Sequence, residues 1–422
     1  MLLAGDGSAR ADGPEVVPGE ALLAEARRQA LAWAERRSLG LSSACGISVA
    51  LAACAATWFS GGTRVDNFRG VAALCAGYLV LLAGKSLARQ QEALPPAGDS
   101  ASANTRWLAA LSVSLSECAI YLGLAAGAAA EHWPDSWTLA IAVLGLVSVR
   151  DMMTTCSNPP GLGERSGTLA QGLARAVLTM PPGGRVLMIV LIAPAWGARV
   201  ALLGLLDWAI ISVGCGIAGR AVPALADNPA ELVRLRDDGA IARALGTLVR
   251  GHLLPLPPAI LGVAAVGTLV MLGLHGLPSI LIVGPAIVML LAAPGSSNRH
   301  YGRFDWLVPV LLLAAQMLCV AATGLATGVP GPVIFLLCGA LLLRYADLAF
   351  PGRPVMLAPP RMPGSDPVER GTRLGWEGRL LVVGLAAALG IATYAYIALT
   401  AYLGLLICAK ALTSFLQGER GG

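Results

Sequence analysis

The sequence predicts an all-α polytopic membrane protein of about twelve transmembrane helices in two six-helix halves. Three observations carry that prediction. Of 422 residues, 56% are hydrophobic and only 13% are Asp, Glu, Lys or Arg, about half the charged fraction of a soluble domain. Apolar runs such as 107–130, 184–222, 306–328 and 379–409 are too long and too poor in charge for soluble core helices. Twelve spans of about 20 residues would use about 240 residues, which matches the hydrophobic fraction. This excludes a soluble multidomain enzyme.

The elements follow in chain order. GEALLAEARRQALAWAERR at 19–37 sets Leu23, Ala26, Ala30 and Trp33 against charges, and predicts an amphipathic helix on the membrane surface. Spans are expected near 42–60, 68–84, 107–129, 137–153, 184–197, 198–221, 257–274, 278–293, 306–326, 330–348, 380–394 and 396–411. Pro194 and the turn at Trp196–Arg199 divide the 38-residue run 184–222 into two. Between the halves, Asp227-Asn228-Pro229 followed by Glu231 predicts a polar helix. The proline-rich stretch 351–378 reads as an irregular loop. The resulting organisation is a tail and surface helix at 1–41, a six-span domain at 42–222, a linker helix at 223–252 and a second six-span domain at 253–422.

Orientation follows from the basic residues. With the amino terminus inside, inward loops hold 20 Lys or Arg and outward loops three, namely Arg64, Arg69 and Arg199. Both termini are therefore expected in the cytoplasm, and an Ala- and Gly-heavy chain with 28 arginines against two lysines suggests a bacterial inner (plasma) membrane. The nine cysteines include no Cys-x-x-Cys, and most sit inside apolar runs, where they read as small hydrophobes.

Few residues carry chemistry. The four histidines are scattered, so no metal site is expected, and no basic stripe interleaved with aromatics points to nucleic acid. Glu117 and Asp207 fall near the middle of their spans, where an ionisable group is a functional candidate. A hydrogen-bonded structural acid is the alternative reading of each. Arg344 and Asp347, one turn apart, are expected to pair. Gly123-x-x-x-Gly127 and Gly324-x-x-x-Gly328 are expected to let helices approach closely.

RRSLGLS at 36–42, LLAGKSLAR at 81–89 and WLAALSVSLSECAIYLGLAAG at 107–127 occur in an order that resembles the CDP-alcohol phosphatidyltransferase family over residues 36–222. FDWLVP at 304–309 and LGWEGRLLVV at 374–383 resemble an uncharacterised bacterial membrane domain that follows such domains. The first resemblance implies a motif D-x-x-D-G-x-x-A-R, then G-x-x-x-D-x-x-x-D, whose four carboxylates hold two divalent cations. Here the aspartate positions carry Leu81, Gly84, Ala109 and Val113, and the glycine positions carry Lys85 and Thr105. Without those oxygens a hard cation has no ligand cage. The expectation is a fold without its chemistry: no catalytic residues, no cofactor, and Mg²⁺ or Mn²⁺ only if this reading fails. Lys85 and Arg89 become candidates for a phosphate or lipid headgroup, with ordinary snorkelling cations as the alternative. Expected partners are membrane lipid and a second copy or an active paralogue. Two further classes stay open: an enzyme rebuilt on Glu117 with Asp66 or Asp151, and a transporter or lipid translocase using Glu117 and Asp207.

Overall fold

The computed structural model describes residues 41–92, 99–157, 180–221, 237–249, 256–273, 306–349 and 374–418. Among them every regular element is a helix. In order these are α1 (Leu41–Phe59), α2 (Arg64–Glu92), α3 (Asp99–Ala130), α4 (Ser136–Ser157), α5 (Pro182–Trp196) and α6 (Ala198–Ala221). The second half supplies α7 (Ala240–Val249), α8 (Leu256–Gly273), α9 (Leu307–Ala326), α10 (Gly331–Ala349), α11 (Trp376–Ala388) and α12 (Ala392–Gly418). Eight of these, α1 to α4, α6, α9, α10 and α12, are long and apolar enough to cross a bilayer. The chain is a helical membrane protein. The expected surface helix at 19–37, the capped segment at 227–231, the span at 278–293 and most of the loop 351–378 lie outside the described residues.

Small residues dictate how the first helices meet. α1 lies against both α2 and α3, and its inward residues include Ala44, Ser48, Ala52, Ala55 and Ala56. Gly123 faces the backbone of Ala56, and Gly127 faces the Phe59 carbonyl, so the expected close approach occurs between α3 and α1. Without side chains at these points the two backbones come within dispersion range, which is how helices associate where the hydrophobic effect is absent. A Cβ on Gly123 would lie 2.5 Å from Ala56 backbone atoms. Gly123→Val is therefore expected to lower stability by about 1–3 kcal/mol, read as a lower thermal midpoint in detergent. Gly46→Ala is the control, since its added methyl meets nothing within 4 Å. Equal midpoints for the two variants would refute the close approach. The second glycine pair behaves differently. Gly324 packs against Ile334 and Tyr396, while Gly328, at φ +70°, belongs to the turn after α9.

The run 184–222 does divide in two. Gly197 stands alone between α5 and α6 at φ +89°, a left-handed conformation that favours glycine. α5 has 15 residues, a length of about 22 Å, and so falls short of a hydrocarbon core of about 30 Å. The break before α12 is earlier than the hydropathy predicts. α11 stops at Ala388, Gly390 turns the chain at φ +73°, and α12 begins at Ala392 rather than near 396. Apolar residues continue through Leu389 and Ile391, so hydropathy is blind to a turn that one glycine allows.

The two halves pack together. α10 lies on α3 and α4, and α9 lies on α4. Along α10, Gly331 faces the Trp137 ring, Phe335 meets Trp137 edge-on at 6.4 Å, Gly339 faces Cys118 and Asp347 meets Trp107. These four α10 positions recur at multiples of four residues and so form one ridge of the helix. The seam runs from the end of the bundle where α10 begins to the end where α1 and α3 begin; we call the latter the near end.

Candidate functional site

A cavity of 310 Å³ opens between α1, α2, α3 and the start of α5. Lys85 lines it nearest the near end of α2, followed inward by Leu81 with Val113, then by Tyr78, Ser48, Ser116 and Glu117, and last by Leu74, Ala52 and Ile120. Eleven residues separate Lys85 from Leu74 along α2, a depth of about 16 Å. The cavity thus alternates in layers: a cation, an apolar step at Leu81 and Val113, a hydroxyl-rich middle that includes the Glu117 carboxylate, and an apolar end. The Ser116 hydroxyl is buried and has no hydrogen-bond partner among the described residues.

Glu117 forms the wall between this cavity and a buried charge cluster. Its carboxylate accepts two hydrogen bonds from Arg185, at 2.9 and 2.7 Å. The other guanidinium arm of Arg185 donates to Asp151, and Arg185 Nε donates to the Met180 carbonyl at 3.0 Å. Arg185 has 2% of its surface exposed. The guanidinium fork suits this position because it can satisfy two carboxylates and a carbonyl at once. Three helices, α3, α4 and α5, are tied at one point. Next to it, Arg150 Nε donates to Ser212 Oγ at 2.6 Å and ties α4 to α6.

The structure treats the sequence candidates unequally. Lys85 and Glu117 share the cavity. Arg89 lies one turn past Lys85 on α2, with its side chain outside the described set. Asp151 does join Glu117, but through Arg185. Asp66 lies at the other end of α2, where it accepts from Thr63 and pairs with Arg69, so a site built from Glu117 and Asp66 is not assembled. Asp207 is on the exposed face of α6, away from both cavity and cluster. Arg185 was the residue that sequence reasoning missed. Its signal was a charge at the very start of an apolar run, after Pro181-Pro182-Gly183-Gly184.

The positions that the family motif gives to aspartates do not suit a metal. Leu81, Ala109 and Val113 belong to one apolar cluster with Leu41 and Cys45. Gly84 packs so tightly on α1 that an added Cβ would lie 2.5 Å from that of Ala44. Among the described residues no three His, Cys, Asp or Glu side chains converge. Apolar side chains offer a hard divalent cation no donor, and a carboxylate at 84 has no room.

A second polar cluster joins the halves at the near end. Trp107 Nε1 donates to Asp347 at 2.9 Å, and Asp347 also pairs with Arg344 at 2.9 Å and with Lys410. The expected Arg344–Asp347 pair is thus part of something larger. Asp237, just before α7, accepts from Arg344 at 2.8 Å and from Arg379 at 2.5 Å. Trp376 Nε1 donates to Asp238 at 3.0 Å, and Glu377 accepts from the Ala242 amide at 3.2 Å. Burial alone would push the Asp237 carboxyl up, but Arg379 and Arg344 outweigh it and hold it down to about 2.

Residues 226–417 match a family model described as a family of unknown function (DUF5941). The match begins within the linker and takes in α7 to α12 almost completely, so the second half is similar to an uncharacterised domain, as FDWLVP and LGWEGRLLVV suggested. Both of those segments lie within it, and the linker cluster around Asp237, Arg344 and Arg379 falls wholly inside the match. No curated protein and no solved structure is matched.

Proposed function

We propose that this protein is a non-catalytic membrane subunit that holds an anionic lipid headgroup in the cavity between α1, α2, α3 and α5. In this reading the chain has about twelve spans in two halves, the near end faces the cytoplasm, and the membrane is the bacterial plasma membrane. The excess of inward-loop Lys and Arg supports that orientation. One observation carries the binding reading: Lys85 heads a cavity whose innermost lining, at Leu74, Ala52 and Ile120, is apolar. An inner-leaflet lipid likewise has its phosphate at the surface and its chains toward the midplane. The resemblance to CDP-alcohol phosphatidyltransferases fits a headgroup ligand, while the apolar cluster at Leu81, Ala109 and Val113 favours binding without turnover.

The test is lipid retention by the purified chain in nanodiscs containing both anionic and neutral lipid. Lys85→Ala is expected to lose about tenfold in preference for the anionic lipid, in the range of a charge-assisted hydrogen bond. Lys85→Arg is expected to keep most of it. Unchanged preference in Lys85→Ala would overturn the reading. The convergence of Glu117 and Asp151 favours one alternative, a rebuilt enzyme, and metal-dependent release of CMP from a CDP-linked lipid would establish it instead.

A further inference from the structure

Asp207 sits in the middle of α6, and its side chain is exposed. Among the described residues no other charged side chain is exposed in the middle of a span. A carboxyl group facing hydrocarbon is costly, and such groups are ordinarily turned toward protein. The residues around it form a pattern. Val200, Leu203, Asp207, Ile210, Gly214 and Ile217 are all exposed and follow one another at spacings of three, four, three, four and three. That is an uninterrupted heptad seam with Val200, Asp207 and Gly214 at the a positions.

We propose that α6 is the seam of a parallel homodimer, placed in register by Asp207 facing Asp207 of a second copy. Three arguments select a second copy as the occupant. Two copies inserted with the same topology are related by a twofold axis along the membrane normal, so their α6 helices run parallel and each residue meets its counterpart at equal depth. In a parallel pair an a residue faces its own copy, and a single polar a residue is the usual device for fixing register. A carboxyl pair sharing a proton is self-complementary, because the O–H of one donates to the oxygen of the other. Gly214, one heptad further, has nothing within 4 Å of its would-be Cβ. It leaves room for the two backbones to close. The exposed stripes of α5 and α12, with Leu191 at 61% and Leu405 at 70%, present apolar side chains and no such register device. The inference does not depend on the cavity reading.

Two measurements on the full-length protein test it. In native membranes of a Cys54→Ser, Cys215→Ser, Cys408→Ser background, Gly214→Cys is expected to form a disulfide-linked dimer on oxidation, and Leu191→Cys and Leu405→Cys are not. In liposomes at increasing lipid dilution, single-molecule photobleaching is expected to show a dimer that Asp207→Asn keeps within threefold and Asp207→Leu weakens about tenfold. The Asn amide retains one donor and one acceptor across the axis; leucine has neither. A chain that is monomeric at every dilution would overturn the proposal, which includes the case in which another segment of the same chain covers Asp207. Cross-linking at Leu191 or Leu405 in preference to Gly214 would also overturn it, as would an unaltered dimer in Asp207→Leu. The Gly214→Cys result stands even if Asp207→Leu fails to accumulate.

Discussion

Replacing Arg185 with alanine is expected to cost about 3–5 kcal/mol, because it strips the partner from a buried carboxylate. Arg185 is 2% exposed and holds Glu117 with two hydrogen bonds of 2.9 and 2.7 Å, so its removal takes away the cation in direct contact with that carboxylate. The Asp151 side chain is 41% exposed and can regain solvent, which leaves Glu117 as the main source of the loss. The thermal midpoint should fall by roughly 3–6 °C, with reduced accumulation in membranes. The double variant Arg185→Leu, Glu117→Leu should recover most of the loss, since removing a buried pair together is often neutral. A midpoint for Arg185→Ala within a degree or two of the wild type would show that the cluster does not hold α3, α4 and α5 together.

Asp237→Ala is expected to have an effect of similar size at the junction of the linker with α10 and α11. It leaves Arg344 and Arg379 without the carboxylate they share at 2.8 and 2.5 Å. Asp237 also makes the junction acid-sensitive. Its carboxyl is held at about 2 in the folded protein, below the ordinary 3.8. A depressed carboxyl contributes its stability fully above the unfolded value and loses it as pH falls through the folded one. The contribution, roughly 2 kcal/mol, should therefore disappear between about pH 4 and pH 2. Truncation costs more than protonation, because a neutral acid still accepts hydrogen bonds and alanine does not. Stability profiles of the wild type and Asp237→Ala should converge below about pH 2 apart from that residual difference. Parallel profiles from pH 6 to pH 2 would refute the assignment.

Much of the fold was legible because hydrophobicity is a property of each residue and needs no partner. Spans near 42–60, 137–153, 198–221, 306–326 and 330–348 match helices to within a few residues. The division at Gly197 was legible too, since Pro194 and a Gly-Ala-Arg turn interrupt one run. The break at Gly390 was not, because the residues beside it are apolar. At the candidate site, Glu117 stood out as a charge where hydrocarbon was expected. Arg185 looked like a loop cation, and only its approach to Glu117 and Asp151 gives it a role. The Trp107 indole N–H donates to Asp347, 240 positions away, a contact that no local pattern announces.

By itself the sequence determined that this chain is helical and that it lies in a membrane. These are sums over local composition, and solvent transfer acts on each residue separately. The tertiary structure decided which charges meet. Arg185 joins Glu117 to Asp151, Asp237 joins Arg344 to Arg379, Lys85 shares a cavity with Glu117, and Asp207 faces outward. An ion pair forms only where two side chains arrive at the same place, and distance along the chain does not fix that when the connecting helices can pack in more than one order.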